Sequence, residues 1–355
     1  MANDIPHDEA SPGMEADPEH VPLPPRVRPF DLETYYPEVH MLPPDTIRHF
    51  RGFARGVPED LLLREPESHL SYGATKGDSH SIRGYGATST REWYMDLPVG
   101  VRQIVDEARF DLFCIGLLRY IASRSFLGTL VERWWDTTNS FHFSTVGDIT
   151  MTPYDFVMLT SIEVKGRPIP YDTDMDEWEA TWIYLLGARP PLFRLGMVRY
   201  TWFADHFRGT SPKTLEEIEQ YARGFLMFLF GTTLFVDRAN TVGLYLLSAL
   251  VDLSRLRLYD WGGAGLATLY SYMSSTSRRS GNRIGSYWRA WEVYFTFLLY
   301  ISCLYAYFLI LTPEPEVEMP PVVPYPHRYE SRLVRRTRET FSFFRQYFDT
   351  VTAAK

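Results

Sequence analysis

A helical repeat of apolar residues across residues 215–273 constrains the fold of this chain more than any other feature. In its first part, apolar side chains recur every three or four residues: Leu215, Ile218, Tyr221, Ala222, Phe225, Leu226, Leu229 and Phe230. Leu244–Leu253 and Ala264–Met273 follow the same period, and Gly231 and the Gly262-Gly263 pair separate these apolar stretches. The period returns through most of the chain, so the sequence predicts a mainly α fold.

One short segment departs from this helical period. Phe141–Ser144 and Asp148–Met151 alternate apolar and polar residues and are separated by a glycine, which predicts an antiparallel β-hairpin near residues 141–151. Thr152 then stands before a proline and an aspartate, in the order of an N-cap, an N1 proline and an N3 acid. We therefore expect a helix to begin at Tyr154, directly after the hairpin.

Further helices are predicted wherever the helical spacing returns. They cover Val101–Ala108, Phe110–Leu118, Phe126–Trp135, Trp178–Leu186 and Leu192–Phe207. Ser211-Pro212 offers the hydroxyl and the proline that favour a helix start, so the helix containing residues 215–230 should begin there. Together these patterns predict a multi-helix globular domain that is mainly α, with a small antiparallel β-hairpin near residues 141–151.

The composition limits the class of protein. The chain has 355 residues, of which 45% are hydrophobic, so it can bury a large core. Its formal net charge of −8 excludes a protein whose whole surface binds nucleic acid, but it allows a local basic patch. Cys114 and Cys303 lie in apolar runs, as expected for buried thiols in a reducing compartment. The acidic, Pro-rich N-terminus is unlike a secretory or transit signal, so we expect a nuclear or cytoplasmic protein.

Changes in composition divide the chain into five expected segments. They are a disordered acidic and Pro-rich N-terminus (1–30), an irregular segment with short helices (31–97), the helical domain (98–311), an acidic Pro-rich linker (312–327) and a basic, aromatic C-terminal helix (328–355). Within the helical domain, Val293–Leu311 carries no charged residue and is long enough to cross a bilayer. Its hydroxyl groups would lack partners in lipid, so we expect a helix packed on the domain, with a membrane span as the alternative.

Polar and aromatic residues inside the apolar segments are the candidates for a binding or structural site. They are Glu132, Arg133, Trp134, His142, Arg223, Asp260 and Trp261. Charges embedded in apolar helices are costly, so Glu132, Arg133 and Arg223 should form ion pairs or caps, with a binding role for Arg223 as the alternative. His142 lies in the hairpin, where we expect an outward polar side chain or a hydrogen-bonded core histidine rather than a metal ligand.

No sequence pattern identifies a metal or phosphate site. The histidines form no H-x-x-x-H pair and there is no cysteine cluster, so no zinc site is expected. Asp172, Asp174 and Asp176 resemble the start of a calcium loop, but Glu177 stands where such a loop needs glycine. We expect a solvated acidic loop there, with a divalent-metal site as the alternative. The chain has no G-x-x-x-x-G-K-[ST] phosphate loop.

Two clusters of arginine are candidates for phosphate contact or for a nuclear signal. The first contains Arg278, Arg279, Arg283 and Arg289, and the second contains Arg328, Arg332, Arg335, Arg336 and Arg338. Arginines beside Ser and Thr in loops are usually solvated. A solvated surface is therefore the expectation, with nucleic-acid contact as the alternative.

Two blocks of motifs resemble the plant mobile domain family. The first block contains LVERW (130–134), SFHF (140–143), GDITMT (147–152) and DFVML (155–159), and the second runs from YARGF (221–225) through YDWGG (259–263) to LY (269–270). The blocks keep the order and approximate spacing of that family, and the likeness spans about residues 100–292. Members include the Maintenance of Meristems proteins and proteins of plant transposons, and the domain is often called aminotransferase-like.

The aminotransferase label is not supported by the residues of this chain. Pyridoxal-phosphate enzymes need a lysine for the Schiff base, an acid for the pyridine nitrogen and a phosphate cup. The only lysines are Lys76, Lys165, Lys213 and Lys355, which lie in expected loops, in a helix start or at the terminus. There is also no alternating βα pattern that would build a large parallel sheet. We expect no aminotransferase activity and no cofactor.

The resemblance implies a nuclear plant protein, derived from or encoded by a transposable element, that acts in genome maintenance, transposon silencing and meristem development. Relatives that join this domain to a phosphatase-like domain imply protein partners, including phosphatase-like ones. We therefore expect a non-enzymatic interaction module with no evident small-molecule ligand. The alternative is a transposon-derived nucleic-acid-binding protein, or an enzyme whose active site the sequence does not reveal.

Overall fold

The computed structural model describes residues 66–74, 83–84, 89–117, 124–143, 147–172, 179–194, 196–236, 239–278, 283–284 and 345–346. The expectations for the N-terminal segment 1–30, the apolar segment 293–311 and the linker 312–327 lie outside these residues. Only residues 345–346 of the expected C-terminal helix are described, and both are helical.

Helices dominate the described residues, which confirms a mainly α fold. In chain order they are α1 (Leu70–Ala74), α2 (Ser89–Met95), α3 (Val99–Glu107), α4 (Asp111–Gly116), α5 (Arg124–Val131), α6 (Pro153–Thr160), α7 (Glu179–Leu186), α8 (Tyr200–Phe207), α9 (Leu215–Thr232), α10 (Leu247–Leu250) and α11 (Trp261–Ser277). Short 3₁₀ helices cover Pro66–Ser68, Leu244–Leu246 and Leu253–Leu258.

Among the described residues, the strands are short and form three small sheets. They are β1 (Arg83–Gly84), β2 (Trp134–Trp135), β3 (Ser140–Phe143), β4 (Gly147–Ile149), β5 (Leu192–Arg194), β6 (Met197–Arg199), β7 (Thr241–Gly243) and β8 (Arg283–Ile284). Strands β1 and β8 pair in parallel, whereas β2-β3-β4 and β5-β6-β7 are antiparallel sheets.

The long helix α9 lies at the centre of the packing. Every residue from Tyr221 to Thr232 is buried, and α9 packs against α3, α7 and α8. The hydroxyl of Thr214 accepts from the Glu217 backbone N–H at 3.1 Å, and the Glu217 carboxylate accepts from the Thr214 backbone N–H at 3.2 Å. The start predicted at Ser211-Pro212 is therefore wrong, because this reciprocal capping box places the N-cap at Thr214.

The hairpin is confirmed, and the structure adds a third strand to it. Strand β3 pairs antiparallel with β4, with Phe141 opposite Ile149. The helix predicted over Phe126–Trp135 is wrong in its last part, because α5 ends before β2 begins and β2 pairs with β3. In this strand Trp134 packs edge-on against Phe141, with ring centroids 5.0 Å apart. The cross-strand aromatic pair favours the extended conformation over continued helix.

The helix start after the hairpin is also confirmed, one residue earlier than expected. Pro153 is the first residue of α6, and the Thr152 hydroxyl accepts from the Asp155 backbone N–H at 3.2 Å. The Asp155 carboxylate accepts in return from the Thr152 backbone N–H at 2.8 Å. Strand β4 ends at Ile149, so Met151 is buried in the connection and not in the strand.

The helix predicted over Leu192–Phe207 is wrong in its first half, where β5 and β6 lie, and only α8 is helical. Strand β6 pairs on its other side with β7, with Val198 opposite Val242. Both valines are buried. Strand β7 follows α9 in the sequence, so local periodicity could not reveal the partner that makes β6 a strand.

The glycines of the apolar region do not separate helices as predicted. Gly231 lies within α9, and Gly262 and Gly263 lie in the first turn of α11. A Cβ added at Gly262 would lie 2.5 Å from the backbone carbonyl oxygen of Glu163, so this glycine permits a close backbone approach. The helix predicted over Leu244–Leu253 is also interrupted, since α10 is short and 3₁₀ helices flank it.

One contiguous core joins the segments that carry the two motif blocks. Six of its large apolar residues are at most 3% exposed and belong to the same cluster: Trp134, Phe225, Leu229, Leu247, Trp261 and Leu269. In the described part of the chain, no helix combines the length and the apolar character needed to cross a membrane.

Candidate functional site

The seven candidate residues are distributed over three places in the fold. Four lie in the sheet β2-β3-β4 or directly before it: Glu132, Arg133, Trp134 and His142. The other three lie on long helices: Arg223 in α9, and Asp260 and Trp261 at the start of α11.

Both charged residues of the LVERW motif contact the C-terminal segment. Glu132, which is 4% exposed, forms a bidentate ion pair with Arg345: Nε donates to Oε2 at 2.9 Å and Nη2 to Oε1 at 2.6 Å. Arg133 donates from Nη2 to the backbone carbonyl oxygen of Arg345 at 3.3 Å. Its guanidinium also lies 5.7 Å from the ring centroid of Phe143. The two motif residues thus connect the C-terminal segment to the sheet.

Trp134 and His142 have structural contacts on the same sheet. The indole Nε1 of Trp134 donates to Ser274 Oγ at 3.0 Å, which joins β2 to α11. The half-buried His142 ring stacks on Trp135 with centroids 3.9 Å apart, and its Nδ1 forms a hydrogen bond with the Asp148 carboxylate. Stacking and a carboxylate partner together fix the orientation of this imidazole.

Arg223 joins α9 to the end of α10. Its side chain is 4% exposed, and burial lowers the pKa of its guanidinium, although the Glu219 carboxylate opposes that shift. Nε donates to the carbonyl oxygen of Leu250 at 2.9 Å, and Nη2 donates to that of Val251 at 3.1 Å. Nη2 also pairs with Glu219 at 3.1 Å. Arg223 therefore satisfies buried backbone carbonyls that have no partner within the helix at its end.

Asp260 and Trp261 organise the start of α11. The Asp260 carboxylate accepts from the Gly263 backbone N–H at 2.7 Å and so caps the helix. Trp261 stacks on Phe230 with centroids 4.4 Å apart, and its Nε1 donates to the carbonyl oxygen of Leu256 at 2.9 Å. The indole belongs to the core on one side and borders an open pocket on the other.

This pocket, called here the cationic pocket, is lined chiefly by three cations, one carboxylate and three aromatic rings: Arg109, Lys165, Arg257, Glu163, Phe110, Tyr259 and Trp261. It contains about 320 Å³ of space, part of it open to solvent. Arg109 and Lys165 both pair with Glu163, at 3.0 and 3.1 Å. Because the cations outnumber the carboxylate, the pocket suits an anion.

Close backbone contacts hold the walls of the cationic pocket together. Gly166 has a φ of +126°, and a Cβ added there would lie 2.6 Å from the carbonyl oxygen of Leu258. The same carbonyl accepts from the Arg167 backbone N–H at 2.8 Å, and the Arg167 carbonyl accepts from the Asp260 backbone N–H at 2.8 Å. These contacts bring the loop that follows α6 against the 3₁₀ helix that carries Arg257.

Sequence reasoning missed the cationic pocket, because its cations come from three distant segments. Arg109 follows α3, Lys165 follows α6 and Arg257 lies in the 3₁₀ helix before α11. Neither periodicity nor a short motif relates such residues. In the sequence, Lys165 stands out only as a lysine in an expected loop.

No candidate metal centre lies among the described residues. They hold no group of three or more His, Cys, Asp or Glu side chains that could bind a metal ion. Cys114 is fully buried, and burial raises the pKa of its thiol, which makes it a poor nucleophile. Arg278 of the first basic cluster pairs with Asp136 at 2.7 Å. Of the acidic loop, only Asp172 lies in the described part, where it is buried.

Fold and site together define a mainly α domain. Its candidate polar residues connect helices and strands to one another, and its open pocket is cationic. The chain matches the plant mobile domain over residues 110–355 and belongs to that family. This confirms the resemblance in its two motif blocks.

Several proteins of Arabidopsis thaliana are similar to the chain. Protein MAIN-LIKE 2 is 31% identical over 242 residues, which cover 64% of this chain and 34% of that protein. Protein MAINTENANCE OF MERISTEMS is 27% identical over 230 residues, 63% of this chain and 47% of that protein. Serine/threonine-protein phosphatase 7 long form homolog is 27% identical over 199 residues, 55% and 14% respectively. The chain thus spans less than half the length of these relatives. No solved structure matches it.

Proposed function

We propose that this chain is a non-enzymatic interaction module that binds a protein partner in the plant nucleus and acts in genome maintenance, transposon silencing and meristem development. The names of the MAINTENANCE OF MERISTEMS and MAIN-LIKE relatives support the developmental role. Similarity to a protein named as a phosphatase supports a phosphatase-like partner.

Exposed apolar side chains that are close together in the sequence carry this proposal. Four large ones between residues 183 and 193, called here the apolar surface, have exposures of 48, 42, 37 and 47%: Ile183, Tyr184, Leu192 and Phe193. Single exposed apolar residues are normal on proteins, whereas a contiguous exposed patch marks an interaction surface, and we infer that this segment supplies such a patch.

The surroundings of the apolar surface indicate the chemistry of the partner. The Arg199 guanidinium lies 4.4 Å from the ring centroid of Phe193, and all three residues of β5, including Arg194, are exposed. Strand β5 also stands at one end of its three-stranded sheet. A partner segment with apolar side chains beside carboxylates would complement these rings and guanidinium groups.

Proximity labelling in plant nuclei tests the proposal with matched variants of the whole chain. The test variant, Ile183→Ser with Phe193→Ser, removes two side chains of the apolar surface. The control, Val99→Ser with Leu215→Ser, removes two side chains that are 86 and 71% exposed and lie outside that surface. Thermal unfolding of both variants should match the unsubstituted chain, because all four side chains are exposed.

The expected result is a defined set of proteins that is labelled by the unsubstituted chain and the control and lost with the test variant. Equal labelling by all three proteins would refute the apolar surface as the partner site. Exclusion of the tagged chain from nuclei would refute the nuclear role. The nucleic-acid-binding alternative is tested below, at the cationic pocket.

A further inference from the structure

Arg109 occupies a backbone position that ordinarily belongs to glycine. Its φ is +64°, in the left-handed region. Its backbone N–H donates to the Asp106 carbonyl at 2.9 Å, and the next N–H, of Phe110, donates to the Val105 carbonyl at 3.2 Å. This is the Schellman pattern that ends α3, in which glycine is preferred because it has no Cβ. A side chain at such a position costs about 1 kcal/mol of conformational strain.

Despite this strain, the residue at this position is an arginine, and its guanidinium lies at the rim of the cationic pocket. Its only ion pair among the described residues is with Glu163, whose carboxylate is shared with Lys165. Both cations are well exposed, at 60 and 71%. Such exposed pairs contribute little to stability. Packing and stability therefore do not explain why arginine rather than glycine stands at this position.

Two further donors in the cationic pocket are unused within the described structure. The guanidinium of Arg257 forms no hydrogen bond or ion pair there, and neither does the hydroxyl of Tyr259. Burial raises the pKa of Tyr259, so its hydroxyl stays protonated at neutral pH and can donate. Arg109, Lys165 and Arg257 supply charge, and Tyr259 supplies a neutral donor, around one cavity.

We propose that the cationic pocket binds a phosphate monoester, and that a phosphorylated side chain of a protein supplies it. Arginine and lysine are the residues that bind phosphate oxygens, and a dianion would outcompete the single Glu163 carboxylate for them. The proposal that the pocket binds phosphate does not depend on the proposed function. The proposal that the phosphate belongs to a protein does rest on it, because it assumes a protein partner.

A nucleic acid fits these observations less well. The affinity for a nucleic acid comes from many phosphate contacts along its backbone, each of which releases counterions. A protein that binds such a polyanion therefore needs cations along an extended stripe. Here the cations converge on one cavity, and the whole chain carries a net charge of −8, which repels a polyanion at longer range.

Calorimetric titration of the whole chain tests the site. The probes are a short neutral peptide containing phosphoserine, its unphosphorylated form, inorganic phosphate, adenosine monophosphate and a single-stranded DNA oligonucleotide. We expect the phosphorylated peptide to bind at least about tenfold more tightly than the unphosphorylated peptide, with an affinity that falls as salt is added. Inorganic phosphate should compete with it.

The variants separate binding from folding. Arg109→Gly removes a cation and relieves the strained conformation, so it should weaken peptide binding about twofold to fivefold while the midpoint of thermal unfolding stays equal or rises. Adding Arg257→Gln should bring the loss to about tenfold. Arg255→Gln is the matched control on the same 3₁₀ helix, since Arg255 pairs with Asp252 and does not line the pocket. It should leave affinity unchanged.

Three results would overturn the proposal. Equal affinity for the phosphorylated and unphosphorylated peptides would exclude recognition of the phosphate. Unchanged affinity in the Arg109→Gly, Arg257→Gln double variant would exclude this pocket as the site. Tighter binding of adenosine monophosphate or of DNA than of the phosphopeptide, lost in the same double variant, would refute a protein source. None of these results depends on the apolar surface, so failure here and failure of the proposed function are distinguishable.

Discussion

Glu132 and Arg223 show how single buried charges are satisfied in this protein. Each is 4% exposed. Arg223 uses two carbonyl groups and the nearby Glu219, so its partners are partly local in sequence. Glu132 depends on Arg345, more than 200 positions away. The cost of burying a charge predicts that a partner exists for each, but only the fold identifies it.

Cys114 allows a prediction at the residue scale, in the alkaline range. Its thiol is fully buried, and desolvation, together with Asp111 and Asp106, raises its pKa in the folded state. The unfolded chain therefore releases this proton at a lower pH, about 8.5. The free energy of unfolding should fall as pH rises above that value.

Urea unfolding at pH 7 and pH 10 measures this effect. Buried tyrosines with raised pKa values, such as Tyr94, contribute in the same direction, so the comparison must be made between variants. Between the two pH values, Cys114→Ala should lose less stability than the unsubstituted chain. Equal losses in the two proteins would show that Cys114 does not contribute.

The elements divide into those that begin on a local signal and those that depend on a partner. Helices α6 and α9 each begin at a threonine whose capping box is complete, at Thr152 and at Thr214. Strands β2 and β6 carry no such local signal, and each is extended because a neighbouring strand pairs with it. Caps can be read within four residues, whereas strand pairing requires knowledge of the fold.

The capping box of α6 gives a prediction at the element scale. Thr152→Ala removes the hydroxyl that accepts from the Asp155 backbone N–H, so it should destabilise the fold by about 1 kcal/mol. Thr201→Ala makes the same chemical change at an exposed position inside α8 and should be neutral or slightly stabilising. Denaturant unfolding of both variants measures the difference. Equal stability of the two would show that the cap contributes nothing.

At the scale of the whole molecule, contacts between distant segments hold the sheet β2-β3-β4 in place. Trp134 joins it to α11 through Ser274, and the half-buried pair Arg278–Asp136 joins the end of α11 to the turn between β2 and β3. The pair Glu132–Arg345 adds the C-terminal segment. The LVERW motif therefore lies where three parts of the chain meet.

The Glu132–Arg345 pair gives a prediction at this scale. Arg345→Met should destabilise the fold by roughly 3 kcal/mol, because it leaves a carboxylate buried without its bidentate partner. Adding Glu132→Gln should recover part of that loss, since the unpaired charge is removed. A double-mutant cycle measured by urea unfolding gives the coupling energy. Strictly additive losses would show that the pair is not coupled in solution.

Local sequence signals were sufficient for some parts of the fold. The helical period identified α9 and the residues Phe225 and Leu229 as core, because a helix places every third or fourth side chain on one face. Alternation identified β3 and β4, and Thr152 identified the start of α6. Each of these signals acts over a few residues, so each can be read without knowing the fold.

The rest depends on segments that meet only in the folded chain. Trp134 lies in a strand because Phe141 packs on it, and β6 is a strand because β7 pairs with it. The cationic pocket combines Arg109 with Arg257, and neither position is marked by its neighbours in sequence. Periodicity and capping arise from interactions within one element. Pairing partners, buried ion pairs and pocket walls arise from contacts between elements, which are selected by packing of the whole core.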